Sequence, residues 1–422
     1  MRVLFLSSEF PLPANKGDRI YTSNLLRQLI FNGHYVHLVV FNRGREVNQE
    51  TAGAGSTPIF DSSLASRITT VPFTAKSYFR AFFSFYPGMI ANRFSRKYMK
   101  TMRSILKDEG PFDAILVNHF KMAYLITAIK PHAAGARTVM ITHNAEALLT
   151  RTLCRHYMNP VKKGAYYLDW RKVNWYEPRY LKQYDGVTAI CQGDYEYFTR
   201  EYGLRNVQIV TPGIDLSYEQ VDLPDPEKNG GVILCGAFVW EPKRLNLLCF
   251  LNCKRFRRLQ DNGIKFYVVG QADPRFVNHV NRAYPGVTMT GSVPDVRDYY
   301  RRCSIALIPE LMGGGFKLKL LEAAAMKNAV VSLKGVITAP GFEAGAHYLE
   351  AEDFDGLIET TLQLIKQPGE MKRLAQNAYD LIEREYTWKN SYCKLMSVIE
   401  PGFTQQKTID SLQSQTRFSQ DM

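Results

Sequence analysis

Residues 2–41 read as strand, loop, helix and strand in immediate succession. The run 2–7, apolar between Arg2 and Ser7, reads as a buried strand, and the loop 8–17 carries two prolines and ends at Lys16-Gly17. Tyr21, Leu25 and Leu29 then fall on one helical face with Leu26 and Ile30 beside them; the pattern stops at Asn32-Gly33, and a strand follows at 35–41. Strands joined through a helix run parallel. Their nearly continuous apolar character predicts burial on both faces.

The cadence continues with strands at 114–117, 138–142, 186–190 and 207–210 and helices around 123–129 and 165–183. Residues 222–231, DLPDPEKNGG, are polar, rich in Pro and Gly and without periodicity, which marks a linker. The alternation then restarts, with strands at 231–235, 265–269, 287–290, 304–308 and 330–332 and helices after Pro242 and over 295–302 and 316–327. Helices at 353–366, 369–385 and 388–399 follow, and the Gln/Ser/Thr-rich residues 401–422 are expected to be disordered. The pattern predicts an α/β chain with two doubly wound parallel sheets: one domain over 1–221, the linker, a second over 232–385, and a closing segment 386–400. A length of 422 residues suffices for two such cores.

Lys and Arg number 53 against 40 Asp and Glu, a net charge of +13, which points to an anionic partner. No helix-turn-helix, zinc-finger or RNP pattern accompanies it, so nucleic acid is not expected. The seven cysteines include no CxxC pair and the eight histidines no metal spacing, which fits a reduced cytosol and predicts no metal. The first residues turn polar too soon for a signal peptide, and no run of about 18 apolar residues spans a membrane. Neither half carries GxGxxG after its first strand, and GxxxxGK[ST] does not occur.

The segment 309–326, PELMGGGFKLKLLEAAAM, ends a strand, passes three glycines and opens a helix. Backbone N–H groups at a helix start attract anions. Lys319 and Glu322 share a helical face with Gly315 one turn earlier, while Leu318, Leu321 and Ala325 fall on another. Such a helix can offer N–H groups and Lys charge to a diphosphate and the Glu322 carboxylate to a pair of sugar hydroxyls. The plainer alternative is a Gly-rich turn before a surface helix with an i,i+3 ion pair.

The longer stretch PELMGGGFKLKLLEAAAMKNAVVS resembles the donor-site segment of the group 1 glycosyltransferases (glycosyltransferase family 4), which have the GT-B fold. MRVLFLSSEFPLPANKGD, FNGHYVHLVV, THNAEALLTR, YDGVTAICQGD, VTPGIDLSY and GSVPDVRDYYRRCSIALIPE resemble further segments of that family, in its order and spacing, so the resemblance runs from 1 to about 399. It implies two Rossmann-like domains facing a cleft. A UDP-, GDP- or ADP-linked sugar would be held by the C-terminal domain and a glycan or lipid-linked acceptor by the N-terminal one. Transfer would proceed with retention at the anomeric carbon, without metal or cofactor, and the last helix would cross back to the N-terminal domain. Bacterial envelope, capsule or exopolysaccharide assembly at the inner face of the membrane is the implied setting. A nucleotide-sugar epimerase of the same fold and a catalytically degenerate nucleotide-sugar-binding subunit are the alternatives.

The resemblance also implies residue roles. Glu322 matches the second glutamate of an E-x7-E pattern and would bind ribose; Lys319 would lie near the donor phosphates. Gly17 and Gly236 would let backbone approach the donor, and Lys243 or Arg244 would supply a phosphate-binding cation. His143, in Thr142-His143-Asn144-Ala145-Glu146, would face the anomeric centre and steady its developing charge; the plain reading is a structural histidine. The first glutamate of the pattern is replaced by Gly314, with Glu310 four residues upstream, so sugar recognition would rest on backbone N–H groups of Gly313, Gly314, Gly315 and Phe316. Ala237 stands where some relatives carry a basic residue, which leaves Lys243, Arg244, Lys317 and Lys319 to balance a diphosphate. Asp353-Phe354-Asp355 reads as a helix N-cap rather than a metal motif.

Residues 78–107 combine Phe82, Phe83 and other aromatics with Arg93, Arg96, Lys97 and Lys100, and no acid precedes Asp108. That combination suits an anionic membrane surface or a lipid-linked acceptor, and equally a pair of core helices with a solvated basic face. The cluster 254–258 is expected as a solvated face of the first helix in the second domain.

Overall fold

The computed structural model describes residues 1–14, 16–42, 63–73, 84–133, 135–156, 159–215, 231–311 and 315–403. Two compact units result: one holds the chain up to 211 together with the residues from 388 on, and the other holds 212–387 with 155–157.

The first unit is built on β1 (Arg2–Leu6), β2 (Tyr35–Asn42), β3 (Arg67–Pro72), β4 (Ala114–Asn118), β5 (Arg137–Ile141), β6 (Gly186–Ala189) and β7 (Val207–Ile209). All pair in parallel in the order β3-β2-β1-β4-β5-β6-β7. The second unit carries β8 (Gly231–Cys235), β9 (Phe266–Val269), β10 (Val287–Gly291), β11 (Cys303–Ile308), β12 (Ala329–Leu333) and β13 (Leu349–Ala351), also parallel, in the order β10-β9-β8-β11-β12-β13. Central strands such as β1 and β4 are buried on both faces, with Val3, Leu4, Phe5, Leu6, Ile115 and Val117 among the core. In each sheet the strand order reverses once, between β1 and β4 and between β8 and β11. Ligands of open parallel sheets bind outside the carboxyl ends of the strands at such points.

The longer helices of the first unit are α1 (Gly17–Phe31), α2 (Arg96–Asp108), α3 (Glu146–His156) and α4 (Pro160–Leu181). Those of the second are α5 (Glu241–Leu251), α6 (Pro274–Ala283), α7 (Leu318–Ala325), α8 (Phe354–Ile365) and α9 (Pro368–Glu385). The closing helix α10 (Trp388–Ile399) lies in the first unit against α1, where Tyr392 Oη meets His34 Nε2 at 2.7 Å and Ser391 Oγ donates to the Thr211 carbonyl at 2.8 Å. It also approaches β6 so closely that a Cβ on Gly186 would sit 2.5 Å from Val398 Cγ1.

Several expectations are corrected. The helix expected over 316–327 is confined to α7, because Gly315 takes φ +66° and Lys317 is non-helical. The basic cluster 254–258 lies beyond the end of α5, partly in a short helical turn (Arg257–Asp261), and Arg255 and Arg258 pair with Glu359 of α8. The helix around 123–129 begins as a 3-10 segment, Phe120–Leu125, before Ile126–Ile129. Asp353 caps α8, accepting from Gly356 N at 2.7 Å. Residues 222–230 of the linker and 404–422 of the tail lie outside the described residues. Among those described, no helix is long and apolar enough to cross a membrane.

Candidate functional site

At the reversal point of the second sheet, β8 runs into Gly236 and β9 into Gly270. Gly270 has φ +136°, and a Cβ there would lie 2.0 Å from the Gly236 carbonyl oxygen, so these strand ends meet backbone to backbone. β11 leads into Pro309-Glu310, and the turn is held by Leu311 N donating to Asn246 Oδ1 at 3.0 Å. The Glu310 side chain is 4% exposed and gathers three lysines from two directions. Lys243 from α5 and Lys319 from α7 donate to Oε1, and Lys317 Nζ lies 3.5 Å from Oε2.

Burial alone would raise the Glu310 carboxyl, but Lys319, Lys243 and Lys317 outweigh it and hold the group well below the usual carboxylate range. Lys243 is pushed the other way, to about 7, by burial and then by Lys319, against the pull of Glu310. For Lys243 burial is the larger effect and the neighbouring Lys319 adds to it, whereas at Glu310 the three cations outweigh burial. Three ammonium groups share one buried carboxylate, and any further anion arriving here meets cations already assembled.

Glu322 sits one turn along α7, partly buried, and its Oε2 accepts from Tyr300 Oη at 3.2 Å. Burial raises its pKa, opposed by Tyr300 and Lys319. Lys319 turns to Glu310, so the i,i+3 ion pair of the plainer sequence reading does not form. Arg244 is half-buried beside Lys243 and makes no ion pair among the described residues. Phe316 packs against Tyr386 with ring centroids 5.8 Å apart. Gly313 and Gly314 lie outside the described residues.

At the reversal point of the first sheet, Ser7 follows β1, Asn118 ends β4 and His143 follows β5. Asn118 Nδ2 donates to Ser7 Oγ at 3.3 Å and Thr22 Oγ1 at 3.1 Å, which orients its Oδ1 toward His143 Nε2 at 2.8 Å. On this network His143 carries its proton on Nε2. Its ring stacks on His119, centroids 3.7 Å apart and 17° from parallel, and meets Tyr21 edge-on at 5.4 Å. Burial lowers the His143 pKa to about 3, with Lys121 adding to it and Glu9 opposing; burial and then His143 lower that of His119. Both imidazoles are neutral at pH 7, and His143 presents a polar, uncharged ring. Gly17 opens α1 behind an N-cap, Lys16, whose side chain makes no cap hydrogen bond.

Sequence reasoning missed several members of this group. Glu9, Asp18 and His119 have ligand-type atoms within 4.8 Å of one another. Glu9 also faces Lys121 at 2.8 Å and Arg19 at 3.5 Å. Glu177 of α4, buried, accepts from the backbone N–H of Glu146 and Ala147 at 2.8 and 3.0 Å and from Tyr202 Oη at 2.7 Å. It thereby caps α3 from outside and fixes the turn that carries His143. No local pattern announces it, because the partners are about 30 residues apart in the chain.

The basic segment divides. Arg96, Lys97 and Lys100 form an exposed face of α2, while Tyr98, Met102, Ile105 and Leu106 of the same helix are buried, so no exposed apolar residue of α2 accompanies the charges. Arg93 lies over the Phe73 ring at 4.8 Å instead of joining that face. Phe82 and Phe83 lie outside the described residues.

Comparison with known proteins follows the same two-part division. The family model described as Glycosyltransferase Family 4 matches residues 17–218, and the model described as Glycosyl transferases group 1 matches 230–367. An uncharacterized 44.6 kDa protein in the cps region of Klebsiella pneumoniae is 21% identical over 404 residues, spanning 93% of this chain and 98% of the relative. Among solved structures, sucrose-phosphate synthase from Thermosynechococcus elongatus matches with a TM-score of 0.68 at 14% identity, over 94% of this chain and 98% of that one. HepE from Anabaena, solved with UDP and glucose, matches with a TM-score of 0.63 at 14% identity over 94% and 99%. A variant of S. aureus TarM, solved with Fondaparinux, alpha-GlcNAc-glycerol and UDP, matches with a TM-score of 0.63 at 10% identity over 94% and 99%.

Proposed function

The chain belongs to the group 1 glycosyltransferases of family 4, a GT-B glycosyltransferase with two Rossmann-like parallel-sheet domains, and on that premise we propose how it works. It moves a sugar from a nucleoside-diphosphate sugar held by the second unit to a glycan or lipid-linked acceptor held by the first, with retention at the anomeric carbon. The observation that carries this reading is the convergence of Lys243, Lys317 and Lys319 on Glu310 at the reversal point of the second sheet.

A diphosphate is the ligand chemistry for that cluster, since lysines gathered at close quarters each stabilise a phosphate oxygen by roughly 1.5–3 kcal/mol when well placed. Glu322, partly buried and oriented by Tyr300, supplies the acceptor oxygens for ribose hydroxyls. His143, neutral and held by Asn118, steadies the positive charge that develops at the anomeric carbon; an imidazolium there would oppose it. Leaving-group charge is balanced by lysines, so the reaction runs without metal or cofactor.

The relative in a cps region supports capsule or other surface polysaccharide as the product, and the UDP-bound structural neighbours support a UDP-linked donor first among the candidates. Acting on a lipid-linked acceptor, the protein would work at the inner face of the membrane as a peripheral enzyme.

Titration of the purified protein with UDP, GDP and ADP tests the donor site. Saturable binding of one of them, weakened by Glu322→Ala, is expected. Failure of all three to bind the folded protein overturns the reading, and unchanged affinity in Glu322→Ala overturns the ribose assignment. A product assay that finds an epimerised nucleotide sugar without acceptor would replace transfer by epimerisation.

A further inference from the structure

Helix α4 (Pro160–Leu181) is the longest described helix, yet its first buried side chain is Val173, and none of residues 160–172 is buried. A surface helix normally turns its apolar residues toward the core and shows solvent a polar face. Here Val161, Leu168 and Trp175, seven residues apart and therefore on one stripe, are 79%, 49% and 50% exposed. Phe85, 91% exposed, flanks the same helix, because its neighbours are tied to α4: Lys172 Nζ donates to the Ser84 carbonyl at 2.6 Å and Gly88 N to Asp169 Oδ1 at 2.7 Å.

The stripe carries no acid. The two acids of this helix point away from it, Asp169 to Gly88 N and Glu177 to the start of α3. Arg171 and Arg179, beside the stripe, are exposed, and the Arg179 guanidinium lies 3.8 Å from the centroid of the Trp175 ring. The outward face therefore offers aliphatic and aromatic groups interleaved with cations and no acid.

We propose that this face of α4, with Phe85 beside it, docks on a lipid bilayer containing anionic headgroups. The apolar stripe enters the headgroup and upper acyl region, and Arg171 and Arg179 meet lipid phosphate. Tryptophan flanked by arginine suits the interface, where the ring is buried and the guanidinium stays among phosphates. Nucleic acid would match the cations but not Val161 and Leu168. The basic face of α2 carries no exposed apolar residue and gives long-range attraction without insertion. The inference rests on the peripheral-membrane placement proposed above, names the surface that serves it, and stands apart from the donor site.

Flotation of the full chain with vesicles tests it, using phosphatidylcholine containing one-quarter phosphatidylglycerol and phosphatidylcholine alone. The protein is expected to float with the anionic vesicles and not with the neutral ones. Leu168→Ser/Trp175→Ser is expected to lower binding about tenfold at unchanged salt sensitivity, and Arg171→Gln/Arg179→Gln to lower it about tenfold while flattening the salt dependence. Val161→Ser/Leu168→Ser, which keeps Trp175, provides a second apolar variant should the first not fold. Equal flotation on neutral vesicles, no flotation on either, or variants that float like the parent overturns the proposal. So does a dimer in solution that the Leu168→Ser/Trp175→Ser change dissociates, or RNA binding lost with the arginines. UDP affinity measured on the same variants is expected to be unchanged, so failure here is separable from failure of the donor reading.

Discussion

His119 and His143 stack face to face at the carboxyl ends of β4 and β5, 3.7 Å between centroids, although both would carry charge in an unfolded chain at mildly acidic pH. Burial disfavours the protonated form of both rings. The folded pKa of His143 lies near 3, below its ordinary value of 6.5, through burial first and Lys121 second.

The sign of the pH effect follows. Below pH 6.5 the unfolded chain takes up protons that folded His143 refuses, so stability is lost as pH falls from 6.5 toward 3. The slope attributable to one such histidine approaches about 1.4 kcal/mol per pH unit. His143→Gln, whose amide can still donate to Asn118, is expected to be less pH-dependent than the parent by about that slope between pH 7 and 5. Denaturant unfolding at the two pH values measures it; parallel losses in both proteins would show that His143 titrates normally.

Glu310→Gln removes the one charge that Lys243, Lys317 and Lys319 share. Breaking a buried ion group by taking one partner costs about 3–5 kcal/mol. The melting temperature is expected to fall, and inorganic pyrophosphate is expected to raise it more in the variant than in the parent, because the added anion takes the place of the carboxylate. Equal pyrophosphate shifts would mean that the lysines do not form an anion site.

With Lys243 in it, the proposed donor site is expected to have its own pH dependence. Its ammonium is lost near pH 7 in the free protein, and a bound phosphate would restore it, so binding above that pH takes up a proton. UDP affinity is expected to weaken from pH 7 to 9 with a slope approaching tenfold per unit. Lys243→Arg, charged throughout, is expected to bind with little pH dependence over that range. Isothermal titration in two buffers of different ionisation heat counts the proton directly.

The alternation of apolar strands and amphipathic helices was readable because each central strand is buried on both faces and leaves a continuous apolar run, as 3–6 and 114–117 do. β3 escaped it: an edge strand of sequence RITTVP buries only Val71 and ends in proline. β13, three residues long, escaped it for the same reason. Lys319 and Glu322 could be singled out in the sequence because glycines followed by a helix start are a local pattern. Glu310 was not legible as the hub, since its partners arrive from β11, α5 and α7 and only the sheet order brings them together. Asn118 and His119 are likewise ordinary strand-end residues until β4 is placed beside β1 and β5.

The contact between β6 and α10 gives a last prediction about the closing helix. Gly186 leaves room for Val398, whose Cγ1 would meet a Cβ at 2.5 Å, and the neighbouring Arg137 Nε donates to the Val398 carbonyl at 2.8 Å. Gly186→Ala must therefore push α10 outward or force Val398 into a poorer rotamer, an overpacking cost of about 1–3 kcal/mol. Shortening the opposing side chain relieves the clash, so Gly186→Ala/Val398→Ala is expected to be more stable than the sum of its single variants by about 1 kcal/mol. A double-mutant cycle on unfolding free energies reads this coupling. Strict additivity would mean that α10 moves freely relative to β6 in solution.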